Sequence, residues 1–547
     1  MRPRAIGVAL AFASLAGAAS REKIELRPVV LDLPGAPVKI VATDLDADGR
    51  RDLLAVVAYD DVGEIGEDRI VDRVQFSTVR PTIVARRELR AYRADGAGYR
   101  EAAAPLELPV SFTSLEAGPP GVPAVAVADD GVYGVRLAAQ PGPAALTLER
   151  LVARPSLFAG SEAFQAELHV VVEATGDGVA DVLFPGVDGW ELFRGTGSGL
   201  DATQVVRLEL PEPRERTLSS RDGYLAIPEV LDATGDGIPD LVVREGGFAG
   251  GSRIHLLPGV GGGRFGTLRE TPRDCHDLLT DLRVAGTGEN VRPWPEDLVA
   301  VEDLDSDGRA EAVLRTPKER PGDGIRAEMK DAKRPIHRWS FHRLRDAGMI
   351  ESDPYAAIEA EGHGMDVDED RGPSWRQLQD LDGDGRTDLV TFTLDFSMMQ
   401  AVRVLTSKRI SIGMDFKVFC QGQDGSFREV TGLDLSEKLK LDLNDLKLDR
   451  IGQFAGDFDG DGRRDFVHLG RGKTVTIHRG EPGCRYPVKP DLAIDLPEEP
   501  DGLDLVTVED VDGDGLTDLR ILRPLPSTDR DRTAPVRVEL YLSGLAP

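Results

Sequence analysis

The sequence predicts an all-β chain folded as one propeller of eight four-stranded blades, closed by an N-terminal strand. Three observations predict it. An acidic nine-residue pattern recurs along the chain, a strand-like run ending in a Gly-rich turn follows it, and an N-terminal strand precedes the first copy. At 547 residues, length alone would suggest two to four domains, but an internal repeat overrides that estimate. Few aromatics (5%) with 60 Gly and 36 Pro suit short strands and turns better than long helices.

The clearest copy is DLDGDGRTDLV, beginning at Asp380, with carboxylates at positions one, three, five and nine: Asp380, Asp382, Asp384 and Asp388. Three further copies carry four aspartates: Asp44, Asp46, Asp48 and Asp52; Asp457, Asp459, Asp461 and Asp465; Asp510, Asp512, Asp514 and Asp518. A fifth, Asp303, Asp305, Asp307 and Glu311, ends in Glu. Two have Thr at position three: Glu173, Asp177 and Asp181 around Thr175, and Asp232, Asp236 and Asp240 around Thr234. A decayed eighth copy, Glu116 to Leu137, matches Glu173 to Phe193, without gaps over the loop itself. With it the starts lie 53 to 77 residues apart, and without it one gap is about twice the shortest spacings. Eight blades is therefore the preferred count, with seven the alternative.

Each unit supplies a strand before the acidic loop, one after it, one before the Gly turn and one after. Leu89 to Tyr99 (LRAYRADGAGY) and Trp190 to Gly199 (WELFRGTGSG) show the turn. After Asp510 the chain ends one strand short, while Ile24 to Leu33 (IELRPVVLDL) is a strand to spare. Joining the two closes the ring and leaves no open sheet edge.

Four carboxylates in a tight turn repel one another unless a cation neutralises them. The D-x-D-x-D-G spacing gathers hard oxygen ligands around one point, and Gly allows the sharp turn, which suits Ca²⁺ with its six to eight oxygens. An EF-hand is excluded, because the twelfth residues (Ala55, Phe184, Val243, Leu314, Thr391, His468 and Ile521) include no acid. Charge points the same way. The seven loops hold 26 of the 95 acidic residues, and the remaining 69 nearly balance 66 Lys and Arg. Five loops are expected to bind calcium well, the two with Thr more weakly, and the decayed one not at all.

This loop, followed by an aromatic–Gly turn, resembles the FG-GAP/VCBS repeat family, whose propellers include the integrin α-subunit head and many secreted bacterial proteins. The resemblance covers Ile24 to the C-terminus. It implies calcium in the loops on one face, with ligands bound elsewhere on the ring. Integrin heads have seven blades, one fewer than the count here.

Residues 1–18 read as a signal peptide: Arg2 and Arg4, then an apolar run from Ala5 to Leu15, then Ala16-Gly17-Ala18. No segment is long and apolar enough for a membrane span. A net charge of −29 argues against nucleic acid and anionic membranes as partners. Of three cysteines, Cys420 and Cys484 sit near equivalent turns of neighbouring units, where a bridge is one option. Residues 316–375 read as a polar insertion in the fifth blade. Its basic part, Arg334, His337, Arg338, Trp339, His342, Arg343 and Arg345, is the candidate ligand surface for an acidic glycan or protein. Leu433 to Gly452 reads as amphipathic packing ahead of the seventh acidic loop.

These features predict a secreted, periplasmic or cell-surface monomer that binds calcium and serves as a binding or adhesion module for a protein or glycan on a cell surface or envelope. A secreted polysaccharide-active enzyme, lyase or hydrolase, and a structural envelope component are the alternatives. The histidines are scattered, and no H-E-x-x-H, G-x-S-x-G or Walker loop appears, so no catalytic residue is assigned.

Overall fold

A computed structural model describes residues 23–59, 86–96, 98–138, 145–160, 164–165, 168–208, 228–245, 253–267, 269–270, 297–305, 309–318, 333–344, 350–351, 353–363, 377–395, 409–431, 435–442, 447–448, 453–469, 473–498, 506–525 and 534–546. The candidate signal peptide, Asp307 and Arg345 lie outside the described residues. All described elements are strands, and they form eight antiparallel sheets, one per repeat unit, set as the blades of a propeller. No helix among the described residues is long and apolar enough to cross a membrane.

In the first three blades the strand that follows the acidic loop is covered on both faces, so it is a near-continuous apolar run, whereas Asp518–Pro524 (DLRILRP) of the eighth alternates. Asp52–Tyr59 (DLLAVVAY), Ala124–Ala128 (AVAVA) and Asp181–Gly186 (DVLFPG) are buried almost end to end. Edge strands differ. Lys23–Leu33 alternates buried and exposed residues, as a strand with one solvated face does.

The core lies between blades. Leu54, Val56 and Leu89 of the first pack on Leu115, Ala124 and Val135 of the second, whose acidic loop has decayed. Val125 and Val127 of the second blade meet Val182, Phe184 and Phe193 of the third. Val301 and Ala312 of the fifth meet Val242 and Leu256 of the fourth. The eighth unit has three strands of its own: Val506–Glu509, Asp518–Pro524 and Val536–Ala546. Its fourth is Lys23–Leu33, paired antiparallel from Lys23 opposite Ala546 to Leu33 opposite Val536. Val29, Leu31 and Leu33 then pack with Leu53, Val57 and Tyr92 of the first blade, which closes the ring.

Part of the stretch expected to be a polar insertion is blade strand. Ile336–Arg343 and Ala356–Glu361 are the third and fourth strands of the fifth blade, in register with Glu311–Pro317. Trp339 and Phe341 fill the core between the fifth and sixth blades. Their apolar character was masked by Arg338, Ser340 and His342 around them. Ser436–Asp442, within the stretch expected as amphipathic packing, pairs along Arg409–Gln421 in the sixth sheet. Cys420 and Cys484 are bridged, with Cα atoms 5.8 Å apart, and so tie the sixth blade to the seventh.

Candidate metal centres

The acidic loops share one backbone path. Position two is apolar and buried in every copy (Leu45, Ala174, Ala233, Leu304, Leu381, Phe458 and Val511), which pins the loop to the core. Position four is left-handed at Gly176, Gly235, Gly383, Gly460 and Gly513, with φ between 70° and 81°. In the first loop Ala47 holds the same conformation at φ 61°, a strained one for a residue with a Cβ.

Each carboxylate has a distinct place. Position one caps the turn: Asp380 accepts from the amides of Gly383 at 2.8 Å, Asp384 at 3.2 Å and Gly385 at 2.8 Å. Asp232 accepts from Gly235, Asp236 and Gly237 in the same way. Position five takes the amide two residues on, as Asp48 does from Arg50 and Asp514 from Leu516. Position nine is fully buried in all seven copies. There Asp388 accepts from the amides of Leu381 at 2.9 Å and Gln421 at 2.8 Å, so it joins the loop to the end of the third strand. Asp52, Asp181, Asp465 and Asp518 make the equivalent pair of bonds, and Asp240 accepts from Thr234, at position three, and Gly259. Sequence placed position nine among the metal ligands. The structure also gives it this buried clamp.

Burial pushes the carboxyls of Asp388, Asp465 and Asp518 up to about 7, against the pull of their two amides, and neighbouring loop carboxylates add to the rise. Asp52, Asp181 and Asp240 are raised by the same burial.

Several loops bring ligand atoms within 4.8 Å of one another: Asp44, Asp46 and Asp48; Asp303, Asp305 and Glu311; Asp380, Asp382 and Asp384; Asp457, Asp459 and Asp465. The Oδ1 atoms of Asp46 and Asp382 are buried and accept no hydrogen bond from any described residue. A buried carboxylate oxygen without a donor is costly, and a coordinated cation removes the cost. All-carboxylate donors at this density fit a hard divalent ion with a high coordination number.

Neighbouring loops are stitched into a belt. Arg464 donates its amide to the Leu381 carbonyl at 2.9 Å, Thr517 to Asp457 at 2.8 Å and Thr387 to Leu304 at 2.8 Å. The decayed loop replaces this pattern. Glu116 accepts from the amides of Val170 at 2.7 Å and Val171 at 2.9 Å and meets His169 Nδ1 at 2.6 Å.

The candidate ligand surface is not one surface. Arg334 and Arg338 are exposed, while Trp339 and His342 are buried. His337 Nδ1 lies 3.1 Å from the Gly362 carbonyl, and His342 Nδ1 lies 2.7 Å from that of Glu351. Arg343 turns to the fifth acidic loop, 3.7 Å from Asp305. The strand is exposed at both ends and buried from Trp339 to His342, which splits what looked like a cluster.

No protein-family model matches the chain, and no curated protein matches it either. Solved structures do. A lectin from Agrocybe aegerita, described as recognising non-reducing terminal N-acetylglucosamine, overlays with a TM-score of 0.36 at 16% identity, covering 67% of this chain and 76% of the lectin. A Lactobacillus plantarum protein overlays with a TM-score of 0.31 at 14% identity, covering 74% and 84%. The Tc holotoxin pore of Photorhabdus luminescens gives 0.27 at 14% identity, covering 93% of this chain and 19% of the toxin chain. Overlays this loose do not carry a ligand from one chain to another.

Proposed function

We propose that the chain is a calcium-stabilised propeller of the FG-GAP/VCBS kind, exported from the cell and serving as a binding or adhesion module for a protein or glycan on a cell surface or envelope. The observation that carries the metal reading is the set of buried, donorless oxygens of Asp46 and Asp382 among carboxylates within 4.8 Å of one another. Asp44, Asp46 and Asp48, with their counterparts in the other loops, would hold the ion. Calcium then supplies charge balance and rigidity on one face. At about 1 mM calcium and a Kd of about 10⁻⁴ M, each filled loop stabilises the ring by about 1.4 kcal/mol. The basic n-region and short apolar run at the N-terminus support export.

A binding role is favoured over an enzymatic one by the histidines. His337 and His342 of the fifth blade and His478 of the seventh are engaged with backbone carbonyls rather than gathered at one point. The test is a thermal melt of the chain from residue 19 onward in millimolar calcium, in magnesium and in a chelator, followed by a glycan-array screen in calcium. An upward shift specific to calcium, together with a bound glycan class, supports the reading. Identical melts in calcium and chelator would remove its physical basis.

A further inference from the structure

Opposite every position-nine carboxylate stands one residue of the third strand, and register fixes which. Glu311 pairs directly with Arg343. Leu53 pairs with Tyr92, Val182 with Phe193 and Phe466 with His478, so one step earlier Asp52 faces Arg93, Asp181 faces Arg194 and Asp465 faces Arg479. By the same step Asp240 faces Pro258, Asp388 faces Cys420 and Asp518 faces Leu542. The facing residue is Arg in the first, third, fifth and seventh blades and uncharged in the fourth, sixth and eighth.

Each of these arginines reaches its own acidic loop. Arg93 lies 2.8 Å from Asp46, Arg194 lies 3.6 Å from Asp177, Arg343 lies 3.7 Å from Asp305 and Arg479 lies 3.1 Å from Asp459. They differ in freedom. The Arg93 and Arg343 side chains are 34% and 52% exposed and can turn aside to water. The Arg479 side chain is only 4% exposed and Asp459 9%, and Asp491 flanks the guanidinium at 3.9 Å. A guanidinium stays charged at any relevant pH, and a dication sharing its carboxylates must work against that charge at short range.

We propose that the residue facing position nine sorts the acidic loops: the seventh carries its own cation in Arg479 and takes no calcium, the first, third and fifth take it weakly, and the sixth and eighth are the principal calcium sites. This rests on the calcium reading above. It departs from a ranking by carboxylate number, because the sixth and seventh loops have the same four aspartates and the same arginine on the fifth position, Arg386 on Asp384 and Arg463 on Asp461, and differ in the residue facing position nine.

The test is a calcium titration of the full chain by calorimetry, with melts in chelator alongside. Asp384→Asn in the sixth loop is expected to remove one site, or weaken it at least about tenfold, while the matching Asp461→Asn in the seventh leaves the titration unchanged. Arg479→Leu is expected to add one site and to melt lower than wild type in chelator. Loss of a site in Asp461→Asn, or no gained site in an Arg479→Leu protein that binds calcium elsewhere, overturns the sorting. If no variant binds calcium while Arg479→Leu still melts lower in chelator, the calcium reading fails and Arg479 stands as the loop's own cation. If Arg479→Leu does not fold, the Asp384→Asn and Asp461→Asn pair decides alone.

Discussion

Arg51 of the first blade lies against Gly513 of the eighth and donates from Nη1 to the Asp510 carbonyl at 3.4 Å. The last acidic loop thus meets the first, and the belt of loops is continuous across the point where the chain closes on itself. A Cβ on Gly513 would sit 2.5 Å from Arg51 Nε at φ 81°. The long arginine can move, so the left-handed backbone sets the cost. Gly513→Ala is expected to lose about 1–2 kcal/mol in urea unfolding. At Gly383 the same Cβ would meet the Gly462 carbonyl oxygen at 2.8 Å, a backbone atom with nowhere to go. Gly383→Ala should therefore cost more, about 3 kcal/mol.

Ala47 presents the converse case. It holds the left-handed conformation that five other loops give to glycine, at φ 61°. Ala47→Gly is expected to raise stability by about 0.5–1 kcal/mol, since relief of the Cβ clash exceeds the added chain entropy of glycine. A lower urea midpoint for this variant would contradict the assigned loop geometry.

The buried aspartates make stability depend on pH in a stated direction. Asp388, Asp465 and Asp518 are pushed up to about 7 in the folded chain, above the ordinary aspartate value of 3.8. Their contribution is fully present below about pH 4 and is lost as pH rises through about 7. In chelator the urea midpoint should fall between pH 5 and pH 8. A bound cation favours the ionised carboxylates, so millimolar calcium should flatten or reverse that slope. Equal slopes with and without calcium would speak against metal beside these groups.

The Cys420–Cys484 bridge closes a loop with a sequence separation of 64 between adjacent blades. Replacing both cysteines with serine is expected to cost about 2–4 kcal/mol through the unfolded state. Comparison of oxidised wild type with the double variant in urea measures it.

The repeat spacing and the spare strand at Ile24 made the blade count and the closure legible, because both depend on local pattern. The acidic residues were legible as a set, but not their separate places. Position nine looks like its companions in sequence, and only packing distinguishes fully buried Asp388 from partly exposed Asp380. Residues 336–343 were misread because Trp339 and Phe341 are flanked by Arg and His, which resemble an exposed surface. The arginines facing position nine were missed for another reason. Arg93 and Arg479 lie 41 and 14 residues after their partners Asp52 and Asp465. Only strand register makes those unequal separations the same position.

The pairing of Lys23 with Ala546 has a mechanical consequence. Both chain ends leave the eighth blade at the same end of one strand pair. Tension applied between them loads the hydrogen bonds one at a time, as a zipper opens, rather than all together in shear. The ring should yield to such a pull at low force, starting at the eighth blade, although the same strand pair closes it against heat.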